Sequence, residues 1–186
     1  MKTIQVMILA LMLVTGIGLI ACSDGAQADR EGYALADDPN FLTEAEKEFI
    51  EYASEMHVGE IAMAHQAKEK SSNEDVTKHA DAVIKTHSDA LEELSERTRG
   101  SAELSKTASA DTEGHVDFLS PLSGAQFDKE FVDLMVADHQ SAVDTFNSEH
   151  KVAQSANLKS YMKAALPSLE DRLDEAGKLQ KKLTSQ

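Results

Sequence analysis

The sequence contains one cysteine, three prolines and no tryptophan among its 186 residues. A single thiol cannot close a disulfide within the chain, so a disulfide-stabilised fold is excluded. Because proline interrupts helices, its scarcity leaves room for long helices. Aromatic residues make up only 5% of the chain, although 41% of the residues are hydrophobic. This composition favours an ordinary globular protein built from helices.

Positive charge is also scarce. The chain has 18 Lys and Arg residues against 33 Asp and Glu residues, which gives a formal net charge of −15. Such a surface repels phosphate backbones, and nucleic acid is therefore excluded as a partner. It also repels anionic lipid, so attachment to a membrane would need a covalent or hydrophobic anchor.

An anchor is predicted at the N-terminus. Lys2 gives a positive start, residues 4–20 are almost entirely apolar, and the only cysteine, Cys22, closes the segment in the sequence LIAC. This pattern resembles the bacterial lipobox, in which a peptidase cuts before an acylated cysteine. We therefore expect residues 1–21 to be a lipoprotein signal peptide, Cys22 to be lipidated and residues 22–40 to form a flexible tether.

The alternative for this segment is an uncleaved membrane helix, because its length approaches the ~20 residues that span a bilayer. Polar Gln5 and Thr15, with two glycines, weaken that alternative. We expect an exported protein of the cell envelope, anchored by lipid and facing the periplasm. Ser23 follows the cysteine where an Asp would retain the protein in the inner membrane, which favours the outer membrane.

Residues 41–184 form the predicted folded domain. Four stretches carry apolar residues at helical spacing, separated by breaks at 71–73 and 155–157 and by a long connection at 100–122. Short breaks join neighbouring helices into hairpins. The prediction is an all-α fold, an antiparallel four-helix bundle.

Capping signals support the helix boundaries. Thr43 with Glu46 and Ser123 with Gln126 fit the capping box, in which each side chain accepts a hydrogen bond from a free backbone N–H. We expect the first and third long helices to begin there.

One polar residue interrupts the apolar stripe of each predicted helix: Glu60, His87, His139 and Arg172. A carboxylate and two imidazoles are a reasonable ligand set for Zn, Fe or Mn. The other interpretation is a polar core layer in which Glu60 pairs with Arg172. Arg172 favours the second interpretation, because a guanidinium stays protonated and does not bind a metal ion. We favour the paired layer and keep the metal site at Glu60, His87 and His139 as the alternative.

Other residues and motifs give weaker evidence for a functional site. None of the seven histidines is preceded by Glu at the third position before it, which argues against a di-iron carboxylate site. Neither a nucleophile elbow nor a phosphate-binding glycine loop is present. We therefore assign no catalytic residue and no cofactor. His57 is interpreted as a helix-face neighbour of Glu60, Asp138 as a surface or outer residue of the site, and His65, His79 and His150 as exposed.

The stretch LSGAQFDKEFVDLMVADHQSAVDTF, residues 122–146, resembles the signature of the bacterial domain of unknown function 4142 family. FIEYASEMHVGEIAMAHQA, AVIKTHSDALEEL and LKSYMKAALPSLEDRL resemble three further helices of the family. Glu60 and His87 stand on its acidic and histidine positions, Thr86 replaces its usual Asp, and Arg172 replaces its usual His. The resemblance covers about residues 41–182. It implies a ferritin-like helical fold in an exported, often lipid-anchored protein, and it implies no established activity.

These observations favour a non-enzymatic, lipid-anchored envelope protein that acts in stress protection or as an interaction module. The rival is a metal-binding or redox protein with a buried Glu/His site. A third hypothesis is a periplasmic holdase. The protein partner and the oligomeric state are left open.

Overall fold

A computed structural model of the protein describes residues 41–185, so the signal segment, Cys22 and the tether lie outside the described residues. Between residues 41 and 185 the chain is all-helical, with no strand. Its helices are α1 (Glu44–Lys70), α2 (Glu74–Arg97), α3 (Ala110–Leu119), α4 (Gly124–Val152) and α5 (Ala156–Thr184). The all-α prediction is confirmed. Within the same range, no helix combines the length and the apolar character that crossing a membrane requires.

The short helix α3 is not among the four helices predicted from the sequence. It lies within the connection at 100–122, where no regular structure is expected. Ser109 caps it, because its hydroxyl accepts the backbone N–H of Thr112 at 3.2 Å. Leu119 is its only fully buried residue, so the sequence of this helix has no repeating apolar face from which it could be predicted. It packs against α1 and α4 and covers part of both.

One of the two predicted capping boxes is present. At α1, the Thr43 side chain accepts the N–H of Glu46 and the Glu46 side chain accepts the N–H of Thr43. At α4, Ser123 makes no side-chain cap hydrogen bond, and that prediction is wrong. The next residue, Gly124, has φ +57°. This left-handed turn redirects the backbone from the path that a capping box requires.

Glu46 also ties the start of α1 to the turn between α4 and α5. Its Oε2 accepts from Thr43 N at 2.8 Å, and its Oε1 accepts from the backbone N atoms of Gln154 and Ser155, each at 2.7 Å. Burial alone would raise the pKa of Glu46, but the backbone donors of Ser155, Thr43 and Gln154 outweigh burial and lower it. One carboxylate therefore serves the N-terminal ends of two helices.

The helices pack as two hairpins, α1 with α2 and α4 with α5, and the hairpins meet through α2 with α5 and α1 with α4. Two apolar clusters fill the interior. The first includes Phe49, Ile50, Phe146, Tyr161 and Met162. The second includes Met63, Val83, Phe127, Phe131 and Met135. Four buried polar residues lie near the middle of the long helices: His57, Glu60, His87 and His139.

The carboxylate of Glu46 gives a testable prediction. Glu46→Gln replaces one accepting oxygen with an amide nitrogen, so we expect the free energy of unfolding to fall by about 2 kcal/mol at neutral pH. Folding lowers the pKa of this group, so its contribution is complete above the unfolded value of 4.5 and is lost as the pH falls through the folded value. Urea denaturation over a pH series measures both effects.

Glu48→Gln is the matched control, since Glu48 is exposed on the same helix. Its stability should stay within about 0.5 kcal/mol of the parent at every pH. The role given to Glu46 is wrong if the difference between Glu46→Gln and the parent persists unchanged in acid.

Candidate functional site

Three of the predicted site residues meet in the middle of the core. Glu60 of α1, His87 of α2 and His139 of α4 are each at most 1% exposed. One potential ligand atom from each residue lies within 4.8 Å of those of the other two. His87 Nε2 is 3.2 Å from His139 Nε2, and His139 Nδ1 is 3.8 Å from Glu60 Oε1. The three helices bring them together because each residue occupies a position in its helix's apolar stripe.

Arg172 does not join this cluster. Its Nη1 and Nη2 atoms contact the Glu175 carboxylate at 2.7 and 3.0 Å, and no hydrogen bond reaches Glu60. The predicted pair between Arg172 and Glu60 is therefore wrong. The Arg172 side chain is 15% exposed, and its guanidinium group pairs with Glu175, which is nearly half exposed.

Glu60 is buried without a hydrogen-bond donor. Neither carboxyl oxygen has a partner, and the 3.8 Å contact with His139 is too long for a hydrogen bond. Leaving such a group unsatisfied costs about 1–3 kcal/mol. Burial raises the pKa of Glu60 well above its ordinary value, and the negative charge of Asp138 adds to this effect. A cation beside Glu60 would offset both the missing hydrogen bonds and the burial of a negative charge.

Two residues that the sequence interpretation left out of the site extend the cluster. His57 is fully buried, and its Nδ1 lies 2.9 Å from His87 Nδ1. Its other nitrogen, Nε2, lies 2.7 Å from the hydroxyl of Tyr161 on α5. At the opposite end, His139 Nδ1 lies 2.8 Å from the carbonyl oxygen of Met135. A continuous chain of hydrogen bonds thus runs from α5 to α4.

The direction of this chain follows from its last link. A carbonyl only accepts, so His139 Nδ1 carries a proton and donates it to Met135 O. Burial lowers the pKa of His57 to about 3 and that of His139 to about 4, and keeps the pKa of His87 well below its ordinary value. All three rings are therefore neutral. With one proton per ring, Tyr161 donates to His57, His57 to His87 and His87 to His139, and every link is satisfied.

A cavity of about 460 Å³ between α1, α3 and α4 reaches this cluster. The residues that line it are Tyr52, Met56, Glu60, Ser109, Asp111, Thr112, His115, Asp138 and Ser141. Asp138, whose side chain is 22% exposed, accepts a hydrogen bond from His115 Nδ1 at 3.2 Å. Glu60 forms part of the wall, so the cavity ends beside the cluster, on the side that α3 covers.

α3 can pack over Glu60 because Gly59, the residue before Glu60 on α1, has no side chain. A Cβ atom at Gly59 would lie 2.1 Å from Thr112 Cγ2, well inside van der Waals contact. Glycine within a helix costs about 0.5–1 kcal/mol relative to alanine. Here it allows two helix backbones to approach closely beside the site.

The remaining histidines separate into two groups. His65 is exposed, as predicted, whereas His150 is half-buried and His79 is only 5% exposed, so the prediction is wrong for these two. The His79 ring packs against Phe131, and neither ring nitrogen has a hydrogen-bond partner. His57 and His79 each adjoin a stripe residue, Met56 and Ala80 respectively. A core face wider than one stripe would have revealed both histidines.

The comparisons with known proteins agree with the resemblance in the sequence. Residues 34–179 match the family model described as "Domain of unknown function (DUF4142)". No curated protein and no solved structure matches the chain. The matched range contains α1 to α4 and most of α5, together with Glu60, His57, His87 and His139. Because it covers well over half of the sequence, this chain belongs to the DUF4142 family.

Proposed function

We propose that the protein holds a divalent transition-metal ion between Glu60, His87 and His139. The observation that carries this proposal is the Glu60 carboxyl group, which is 1% exposed, has no hydrogen-bond donor and faces two imidazoles. Buried carboxylates are otherwise paired with a cation or a donor. Arg172, the one cation that the sequence offered as a partner, is engaged by Glu175.

The geometry of the imidazoles supports the same proposal. The two Nε2 atoms are 3.2 Å apart, close to the ~3.3 Å that separates two nitrogens bound to one tetrahedral ion at about 2.05 Å. Glu60 has no hydrogen bond to break, so side-chain rotation can bring its oxygen to the ion. Two histidines and one carboxylate suit Zn²⁺ and Fe²⁺, and three protein ligands would leave a coordination position for water.

The hydrogen-bond chain would orient both ligands. His139 already donates from Nδ1 to Met135 O, which leaves Nε2 for the ion. If His87 also turned a bare Nε2 to the ion, its proton would sit on Nδ1 and point to His57. His57 would then donate from Nε2 to the oxygen of Tyr161. Each ligand would thus have the outer partner that metal-binding histidines normally require.

We further propose that the four long helices form a ferritin-like antiparallel bundle, with α3 as a cover. Support comes from the hairpin pairing of α1 with α2 and α4 with α5, and from the family match. The apolar N-terminal segment ending at Cys22 supports a lipid anchor in the cell envelope, with residues 22–40 as the tether. In this role the protein holds an ion and carries out no catalytic turnover.

Metal analysis of the purified domain, residues 41–186, tests the central proposal. We expect about one bound Zn²⁺ or Fe²⁺ per chain, and we expect His139→Ala to lose it because only two ligands would be left. His65→Ala, which removes an exposed histidine from α1, should retain the ion. Metal content that is the same in His139→Ala and the parent would refute the site.

The isosteric change Glu60→Gln separates a metal ligand from a structural residue. In the presence of a chelator it should leave the domain folded and raise its free energy of unfolding by about 1 kcal/mol, because a neutral amide is easier to bury than an acid. It should nevertheless weaken metal binding at least tenfold. A variant that is destabilised in chelator and binds metal normally would assign Glu60 to the fold alone.

His57 gives a separate prediction, because it contacts a proposed ligand and not the ion. We expect His57→Gln to lower metal affinity by about 10–100-fold, the usual effect of removing the outer partner of a ligand histidine. Isothermal titration with Zn²⁺ measures the change, with His65→Gln as the control on the same helix. Unchanged affinity in His57→Gln would show that the hydrogen-bond chain does not support the site.

The anchor is tested in cells of a bacterium that processes lipoproteins. Labelling with a tagged fatty acid should modify the parent protein and leave Cys22→Ser unmodified, since the only thiol is then gone. Fractionation should find the parent in the envelope. An unlabelled parent that retains residues 1–21 would contradict the proposed anchor and leave the metal site unaffected.

A further inference from the structure

The cavity beside α3 has a one-sided charge. Asp111 and Asp138 line it together with Glu60, and no lysine or arginine is present among the described residues of its wall. A narrow space lined by acids concentrates cations and raises the rate at which they arrive. The charge of the cavity wall therefore favours the binding of a cation.

The acids lie at different depths. Asp111 is exposed on α3, Asp138 is 22% exposed on α4, and Glu60 is buried to 99% at the inner end. Neither Glu60 oxygen has a hydrogen-bond partner, so both have free acceptor positions at the inner end of the cavity. Asp138 lines the same cavity, and its exposure is intermediate between those of Asp111 and Glu60.

The cavity wall is held in place by contacts of its own. Gln66 Nε2 of α1 donates to Val116 O of α3 at 3.1 Å, and Thr112 of α3 fits against Gly59. His115 of α3 reaches Asp138 of α4. Because α3 contacts both α1 and α4, the cavity persists while the helix stays docked.

We propose that divalent cations reach and leave Glu60, His87 and His139 through this cavity, with Asp111 and Asp138 as successive transient ligands. The proposal rests on the metal-holding function above. Carboxylate oxygens in a partly hydrated cavity hold a transition-metal ion weakly, whereas imidazole nitrogens in the core hold it tightly. The two acids would hand the ion inwards and replace its water shell in steps. They govern the rate of exchange and not the final affinity.

The test uses Co²⁺ alone as the probe, because its visible absorption reports imidazole binding at the inner site. Stopped-flow mixing with the metal-free domain gives the rate of loading, and competition with a chelator gives the rate of release. We expect the double change Asp111→Asn and Asp138→Asn to slow both rates about tenfold, within the range that charged clefts contribute to association. The equilibrium Kd should change less than about threefold.

The matched control is the double change Asp117→Asn and Asp144→Asn. It removes the same charge from the same two helices, at exposed positions outside the cavity wall. Its rates should match those of the parent. A second probe of the passage is Ser141→Lys, which puts a positive charge at an exposed wall position without removing a hydrogen bond, with Ser148→Lys on α4 as its control. Ser141→Lys should also slow loading about tenfold.

The outcomes separate the two proposals. If the parent binds no Co²⁺ at equilibrium, the metal-holding function fails, and the passage fails with it. If the parent binds Co²⁺ but both cavity variants load as fast as their controls, only the passage is overturned. Equal slowing of the cavity variants and the controls would mean that net charge, and not this route, sets the rate, and would also overturn it.

Discussion

The constraint that distinguishes the core of this domain is the buried carboxyl group of Glu60, which has no hydrogen-bond donor. Two apolar clusters enclose the long helices at either end, and Glu60 lies between them. The neutral imidazoles of His87 and His139 lie close to it, but neither donates a hydrogen bond to the acid. Burying such a group opposes folding. Because Glu60 lies on a cavity wall, a cation bound there would offset that cost.

The imidazoles show how a polar core layer can be both satisfied and adaptable. One backbone carbonyl, Met135 O, fixes the donor of His139, and this choice propagates through His87 and His57 to Tyr161. Every nitrogen has a role in that arrangement. With a cation on the two Nε2 atoms, the links from His87 to Tyr161 would run in the opposite sense without gaining or losing a proton on the rings. Two electrically neutral arrangements are therefore available to one set of side chains.

The sequence predicted much of this fold because apolar periodicity reports which residues face inwards. Glu60, His87 and His139 stand out as polar interruptions of a stripe, and the helices bring them together. Heights along a helix follow from counting residues, but the direction of a long side chain does not, which is why Arg172 was placed in the layer. His57 was missed because a buried face spans more than one stripe. Short α3 has a single buried residue and gives no periodic signal.

The hydrogen bonds from Gln154 and Ser155 to Glu46 constrain the order in which the chain can fold. Its partners are separated by 108 and 109 residues, so the beginning of the domain cannot complete its hydrogen bonds until nearly the whole domain has been synthesised. Contacts of such long sequence separation slow folding. A nascent chain that ends before this turn would lack these hydrogen bonds, so the native state can close only after the second hairpin has begun to form.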